Sequence, residues 1–264
     1  MTALALTARA LADARLSATS LSGFPGPLPT TLDEAYAIQR AVIDLWPSRI
    51  AGWKVGRLSA DLAQRFGVDR FIGPVFEDAV VRVSGQGTAD FPMFAQGSAA
   101  FEAEFVVFVG EGPEKALVAQ AMTTGIEIAA SPIATLPALG SLATIADLGN
   151  NAGQIIGYPV ALDLLGDPQA LPCETRIGDA PAVSATAAAL PGGPATALRF
   201  ALAQAEAIGL PVEAGQFVST GAVTGMHAVR PGQSCSADFA RFGRIECMVR
   251  AIEAVRGGPG RRGF

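Results

Sequence analysis

The sequence predicts an α+β protein in which a helical N-terminal segment precedes a β-rich body. Three observations carry this expectation. Residues 1–49 are rich in Ala and Leu and contain one well-formed helix start. From Ile50 onward, short runs of Val, Ile and Phe alternate with Gly and Pro, the pattern of strands and turns. The connections between those runs are too irregular for the strand–helix alternation of a doubly wound parallel sheet.

The elements follow in order. To about residue 18, Leu4, Leu6, Leu11 and Leu16 among alanines predict a helix, and a Pro/Gly-rich loop runs from 22 to 30. Thr31-Leu32-Asp33-Glu34 has the form of a capping box, in which hydroxyl and carboxylate satisfy free amides at a helix start. That helix should run through Tyr36, Ile38, Val42 and Leu45 and stop before Pro47. A strand over 50–55, a short helix over 59–66 closed by Gly67, and strands at 80–81 and 101–109 come next. Residues 115–122 read as a helix feeding a strand over 125–130. A strand is expected over 155–162, whereas 171–190 carries little periodic signal. Residues 194–208 form an amphipathic helix stopped by Gly209. A strand over 217–222 and a hairpin of 234–239 with 244–249 complete the body. The chain thus divides into a helical segment (1–49), a β-rich body (50–256) and a disordered tail (257–264).

Composition narrows the function. Of 264 residues half are hydrophobic and 16% charged, and the formal charge of −5 argues against a nucleic-acid partner. No apolar run is long enough to span a membrane, and the N-terminus lacks the pattern of a signal peptide. Three cysteines at no metal-like spacing read as reduced thiols of a cytoplasmic protein. No glycine-rich nucleotide loop and no G-x-S-x-G elbow occurs. The single histidine, His227, falls in an expected turn and reads as structural or exposed.

The chemistry concentrates in acids on apolar strands. In Phe101-Glu102-Ala103-Glu104-Phe105 the period of two puts Glu102 and Glu104 on one face, opposite the Phe side chains. Two like charges on a hydrophobic strand resist burial unless something cationic neutralises them. Glu127, between Ile126 and Ile128, is a third such acid. A lone buried Glu usually pairs with Arg, but three strand-borne carboxylates favour a shared Mg²⁺ or Mn²⁺ with positions left open for substrate. Lys54, one of two lysines beside 17 arginines, sits between Trp53 and Val55. It is either a snorkelling surface residue or a cation placed for substrate and proton transfer.

Five motifs in register carry a resemblance. Gly52-Trp53-Lys54-Val55-Gly56, Phe66-Gly67-Val68-Asp69, Phe101-Glu102-Ala103-Glu104, Gly125-Ile126-Glu127-Ile128 and Val218-Ser219-Thr220-Gly221 resemble the fumarylacetoacetate hydrolase superfamily. The similarity is to its 2-keto-4-pentenoate hydratase and 4-oxalocrotonate decarboxylase branch, over about residues 31–250. The resemblance implies a mixed β-roll of the fumarylacetoacetate hydrolase type with N-terminal helices. It implies Mg²⁺ or Mn²⁺ on Glu102, Glu104 and Glu127, with Lys54 and an acid after Gly73-Pro74 as catalytic groups. Asp78 is the candidate for that acid, ahead of Glu77. Thr220, Gly221 and Asn151 are the implied substrate-binding residues. The implied activity is hydration of a 2-hydroxydienoate in aromatic meta-cleavage catabolism by a cytoplasmic homo-oligomer. Decarboxylation of a 2-oxo-3-enedioate, or a fold relative without catalysis, is the alternative. Two departures bear on substrate recognition: Ala129-Ala130-Ser131-Pro132 replaces a Val-Asp-Ser-Arg pattern, and Asn150 stands where an acid is usual.

Overall fold

The computed structural model describes residues 1–83 and 88–252, so the expected tail over 257–264 lies outside the described residues. Helices α1 (Ala3–Leu16) and α2 (Leu32–Ile43) come first. The capping expected at Thr31 forms with one variation. Thr31 Oγ1 accepts from Glu34 N at 3.2 Å, while the Glu34 carboxylate accepts from Thr30 N at 2.7 Å, one residue before the cap.

The body opens with β1 (Ile50–Arg57), α3 (Ala60–Phe66), β2 (Arg70–Phe76) and β3 (Val80–Arg82). Then come β4 (Thr88–Phe94) and the long hairpin of β5 (Ser98–Glu111) and β6 (Leu117–Ser131). Short helices α4 (Leu136–Leu139) and α5 (Ser141–Ala146) lead to β7 (Asn151–Val160), β8 (Pro172–Ile177) and β9 (Val183–Thr186). Helix α6 (Gly193–Ala207) precedes β10 (Phe217–Ser219), β11 (His227–Ala228), β12 (Ser234–Asp238) and β13 (Arg244–Ile252).

Two sheets result. One is mixed, in the order β2-β1-β10-β5-β6-β7-β3, with β11 paired to β5. The other runs β4-β13-β12-β8-β9. Within the first, β1–β10 and β3–β7 are parallel and the remaining pairs antiparallel. One face of β5 contributes Phe101, Ala103, Phe105, Val107 and Val109 to the main core, shared with residues of the second sheet such as Phe91, Ala237 and Val249. A smaller core joins α1 and α2 to the body through Leu11, Ile38, Val42, Phe76, Ile133 and Leu136.

The helix expected over 115–122 is instead the first half of β6. Glu114 and Lys115 adopt positive φ (55° and 61°) in the turn, and pairing with β5 starts at Glu111↔Leu117. Partly buried Leu117 and Ala119 alternate with exposed Val118 and Gln120, which is a strand period. Cross-strand pairing over the whole hairpin overrides the helical composition of this stretch. The unsignalled region 171–190 supplies β8 and β9, the edge of the second sheet.

Candidate metal centre

The β5–β6 hairpin assembles the acids. Glu102 and Glu127 are direct register partners, and Glu104 lies opposite Gly125. One carboxylate oxygen from each of Glu102, Glu104 and Glu127 lies within 4.8 Å of the others, and all three side chains are buried. The third strand brings the cation. Trp53 and Val55 turn into the main core, so Lys54 between them turns to the opposite face. Lys54 pairs in register with Ser219 on β10, next to β5. Its Nζ reaches Glu127 Oε1 at 3.2 Å and stands 5.1 Å above the Phe71 ring. Phe71 needs the glycine at position 56: a Cβ there would fall 2.2 Å from Phe71 Cζ.

Each inner carboxylate is held by one oxygen and bare at the other. Ser219 Oγ (2.5 Å) and Gly221 N (2.9 Å) donate to Glu104 Oε2, leaving Glu104 Oε1 buried without a partner. Lys54 Nζ and Asn151 Nδ2 (3.2 Å) occupy Glu127 Oε1, leaving Glu127 Oε2 equally bare. Protein donors that fix one oxygen and aim the other are what orient carboxylates toward an ion. Three carboxylates and one ammonium carry a formal charge of −2, which one divalent cation cancels. The residues present therefore fit a hard divalent ion with oxygen ligands.

Electrostatics agree. Burial, then the Glu127 charge, pushes the Glu102 carboxyl up to about 8 against the pull of Lys54. Burial and the charges of Glu127 and Glu102 hold Glu104 well above the usual carboxylate range, despite the Ser219 hydrogen bond. For Lys54, burial acts to lower the ammonium, but Glu127, Glu102 and Glu104 outweigh it and the net shift is upward.

The cluster opens through Glu102, 6% exposed, onto a cleft of about 850 Å³ that is also lined by Lys54, Phe71, Asn150, Thr220 and Gly221. Thr220 Oγ1 donates to Phe105 O at 2.8 Å, so its hydroxyl is committed to β5. Asn151 holds Glu127 and Gly153 O and is a positioning residue rather than part of the cleft lining.

Asp78 lies apart from the cluster. It sits exposed on the 3₁₀ turn Glu77–Ala79, its backbone N donating to Ser48 Oγ, and Glu77 pairs with Arg49 at 3.0 Å. Neither acid lines the cleft, because β2 ends at Phe76 and the turn carries both to the surface. His227 is half-buried on β11 with Nε2 3.0 Å from Thr224 Oγ1, and burial lowers its pKa.

Sequence reasoning passed over a buried network behind the site. Arg15 of α1 donates Nε and Nη2 to the Asp147 carboxylate, both at 2.7 Å, and Nη1 to Asn151 O at 2.8 Å. Ser131 Oγ donates to Asp147 Oδ2 at 2.6 Å. A signal existed: Arg15 follows Leu11 and Ala8 at helical spacing, a charge on the apolar stripe of α1.

The fold is similar to that of proteins of the fumarylacetoacetate hydrolase type. No protein-family model matches the chain. It is 28% identical over 243 residues to the 2-keto-4-pentenoate hydratase of Paraburkholderia xenovorans (strain LB400), covering 85% of this chain and 82% of that one. The fold matches 4-oxalocrotonate decarboxylase from Pseudomonas putida G7 with a TM-score of 0.71 at 20% identity, over 93% of this chain and 96% of that one. That protein was determined with calcium and acetate and with magnesium and adipate. Fumarylpyruvate hydrolase from Pseudomonas aeruginosa, in complex with Mn²⁺ and pyruvate, matches over 78% of this chain and 91% of its own, at 19% identity and a TM-score of 0.54. The resemblance to the hydratase and decarboxylase branch drawn from five motifs is borne out.

Proposed function

We propose that this protein is a divalent-metal-dependent hydratase that adds water to a 2-hydroxydienoate to give a 4-hydroxy-2-keto acid. The observation that carries it is the buried Glu102–Glu104–Glu127 cluster, with two bare oxygens, opening beside Lys54 onto a largely apolar cleft. Similarity to a 2-keto-4-pentenoate hydratase supports hydration as the reaction. When held by the three glutamates, Mg²⁺ or Mn²⁺ supplies Lewis acidity to the carboxylate and keto oxygens of a 2-keto acid.

The chain's own groups do the rest. Lys54 Nζ, within the site and tied to Glu127, holds the proton that moves between substrate oxygen and carbon. For 2-hydroxypenta-2,4-dienoate, C5 gains a proton as the 2-hydroxyl loses one, giving the 3-enone. Water then adds across C3–C4, its oxygen to C4 and a proton to C3. The apolar walls formed by Phe71, Leu136 and Leu190 keep bulk water from the conjugated chain.

Decarboxylation of a 2-oxo-3-enedioate is the second reading, since the same cluster and Lys54 would serve it. Hydrolysis of a carbon–carbon bond is disfavoured, because the one histidine of the chain bonds to Thr224 rather than to the acids. We also place the protein in the cytoplasm as a homo-oligomer. Its three free, buried thiols suit a reducing compartment, and light scattering tests the assembly.

The deciding experiment follows the ultraviolet absorbance of 2-hydroxypenta-2,4-dienoate and of 2-oxohex-3-enedioate with Mg²⁺, identifying products by mass. A product heavier by one water supports hydration, and loss of CO₂ supports the decarboxylase. Consumption of neither would sink both.

A further inference from the structure

Behind the acid cluster stands a buried amide that the proposed chemistry leaves unused. Gln154 of β7 is the direct register partner of Glu127, which pairs in turn with Glu102. The three side chains therefore form one row across β7, β6 and β5 on the same face of the sheet. Gln154 is fully buried, and its amide oxygen Oε1 has no hydrogen-bond partner among the described residues. Its Nε2 reaches the Ile155 carbonyl at 3.4 Å, beyond the usual length of an N–H···O bond.

Gly125 shows where this amide lies. It is the register partner of Glu104, and a Cβ built on it would fall 2.9 Å from Gln154 Nε2. The Gln154 amide thus fills the place that a side chain at position 125 would take, beside Glu104. The rest of the surroundings are apolar. Val80 of β3 pairs with Gln154 from the other side. Val106 and Ile156, the next residues on this face of β5 and β7, belong to a small apolar cluster. On three neighbouring strands, Glu104 Oε1, Glu127 Oε2 and Gln154 Oε1 are therefore buried acceptors, and no donor among the described residues reaches any of them. An apolar side chain of equal length would occupy the position of Gln154 without leaving a buried oxygen unpaired. A hard divalent ion on the glutamates offers the missing donor, because such ions keep part of their water when few carboxylates hold them.

We propose that Gln154 is a positioning residue of the ion centre, its amide oxygen accepting a hydrogen bond from water on the divalent ion at the β7 side of the cluster. This rests on the metal-dependent reading of the three glutamates and extends it by one residue. Gln154 does not line the substrate cleft, so it acts on the ion and not on the substrate. Glu127 is then supported from both sides: Lys54 and Asn151 fix its Oε1, and Gln154 orders the water of the ion left to its bare Oε2.

The test is calorimetric titration of the metal-stripped full chain with Mn²⁺ in native, Gln154→Met and Gln154→Glu forms, with urea unfolding of each metal-free protein. Gln154→Met, apolar and of similar length, should bind Mn²⁺ about tenfold more weakly. Without metal it should be at least as stable as the native protein, since it removes an unpaired buried oxygen. A glutamine with a merely structural role would give the reverse, lower stability at unchanged affinity. Gln154→Glu keeps the oxygen and should hold Mn²⁺ at pH 8 within about threefold of the native protein or more tightly, and it carries the test where Gln154→Met does not fold. Electron–nuclear double resonance should count no more waters on Mn²⁺ in Gln154→Met than in the native protein; a higher count would show the amide ligating the ion directly and overturn the water link. Undiminished affinity in Gln154→Met, or a loss of about tenfold in Gln154→Glu, overturns the role of Gln154 while the metal centre stands. No uptake of Mn²⁺ by the native protein overturns both.

Discussion

Glu104 and Glu127 each place one oxygen against protein donors and leave the other buried and bare. Unpartnered buried carboxylate oxygens are costly, so the surroundings must be built for something that binds them. Protons compete for the same oxygens. Because burial lifts the Glu102 carboxyl from 4.5 to about 8, the metal-free folded protein keeps a proton that the unfolded chain has released. Rising pH between those values therefore lowers the stability of the metal-free protein and raises its affinity for Mn²⁺. Titration with Mn²⁺ at pH 6, 7 and 8 should show affinity climbing at each step; a flat profile would contradict the assignment. Lys54 makes a separate prediction. Lys54→Met should lower turnover by roughly 10²–10⁴-fold while Mn²⁺ still binds, if Nζ moves protons and the glutamates hold the ion. At this scale the sequence was legible where charge broke an apolar period, as with the three glutamates and Lys54. The exposed position of Asp78 was not legible, because its place after Gly73-Pro74 does not say where the chain turns.

The β5–β6 hairpin is the element that makes the centre, since its register sets Glu102 against Glu127 and Glu104 against Gly125. Gly125 is tightly enclosed. A Cβ there would lie 2.7 Å from Val106 Cγ2 and 2.9 Å from both Gln154 Nε2 and Ile155 O. The backbone oxygen cannot step aside, so Gly125→Ala should cost about 1–3 kcal/mol in denaturant unfolding and weaken Mn²⁺ binding through displaced neighbours. A variant as stable as the native protein would show that the hairpin has slack at this point. The strand character of residues 101–109 and 125–130 was legible from alternation, whereas the first half of β6 was not. Its short Ala- and Leu-containing run suits either period, and only the pairing with β5 settles it.

Across the whole molecule, the N-terminal helices are bound into the body. Leu11 and Ala8 of α1 share a core with Phe76, Ile133 and Leu148, and Arg15 forms a buried ion pair with Asp147. Through Asn151, which Arg15 holds by its carbonyl and which donates to Glu127, this contact reaches the acid cluster. Removing one member of such a pair strands the other charge in the interior. Arg15→Met should therefore cost about 3–5 kcal/mol by denaturant titration and weaken Mn²⁺ binding, and a loss confined to stability would disconnect α1 from the centre. The helical character of the first segment was readable from its Ala- and Leu-rich composition. The Arg15–Asp147 contact spans 132 residues and is invisible to local patterns.

The central claim is that three buried glutamates hold one divalent ion. Calorimetric titration of the metal-stripped protein with Mn²⁺ tests it most directly, comparing the native chain with the Glu104→Gln/Glu127→Gln variant. The native protein should take up one ion per chain, and the variant should lose affinity on the order of a hundredfold or more. No uptake by the native protein, or undiminished uptake by the variant, would contradict it.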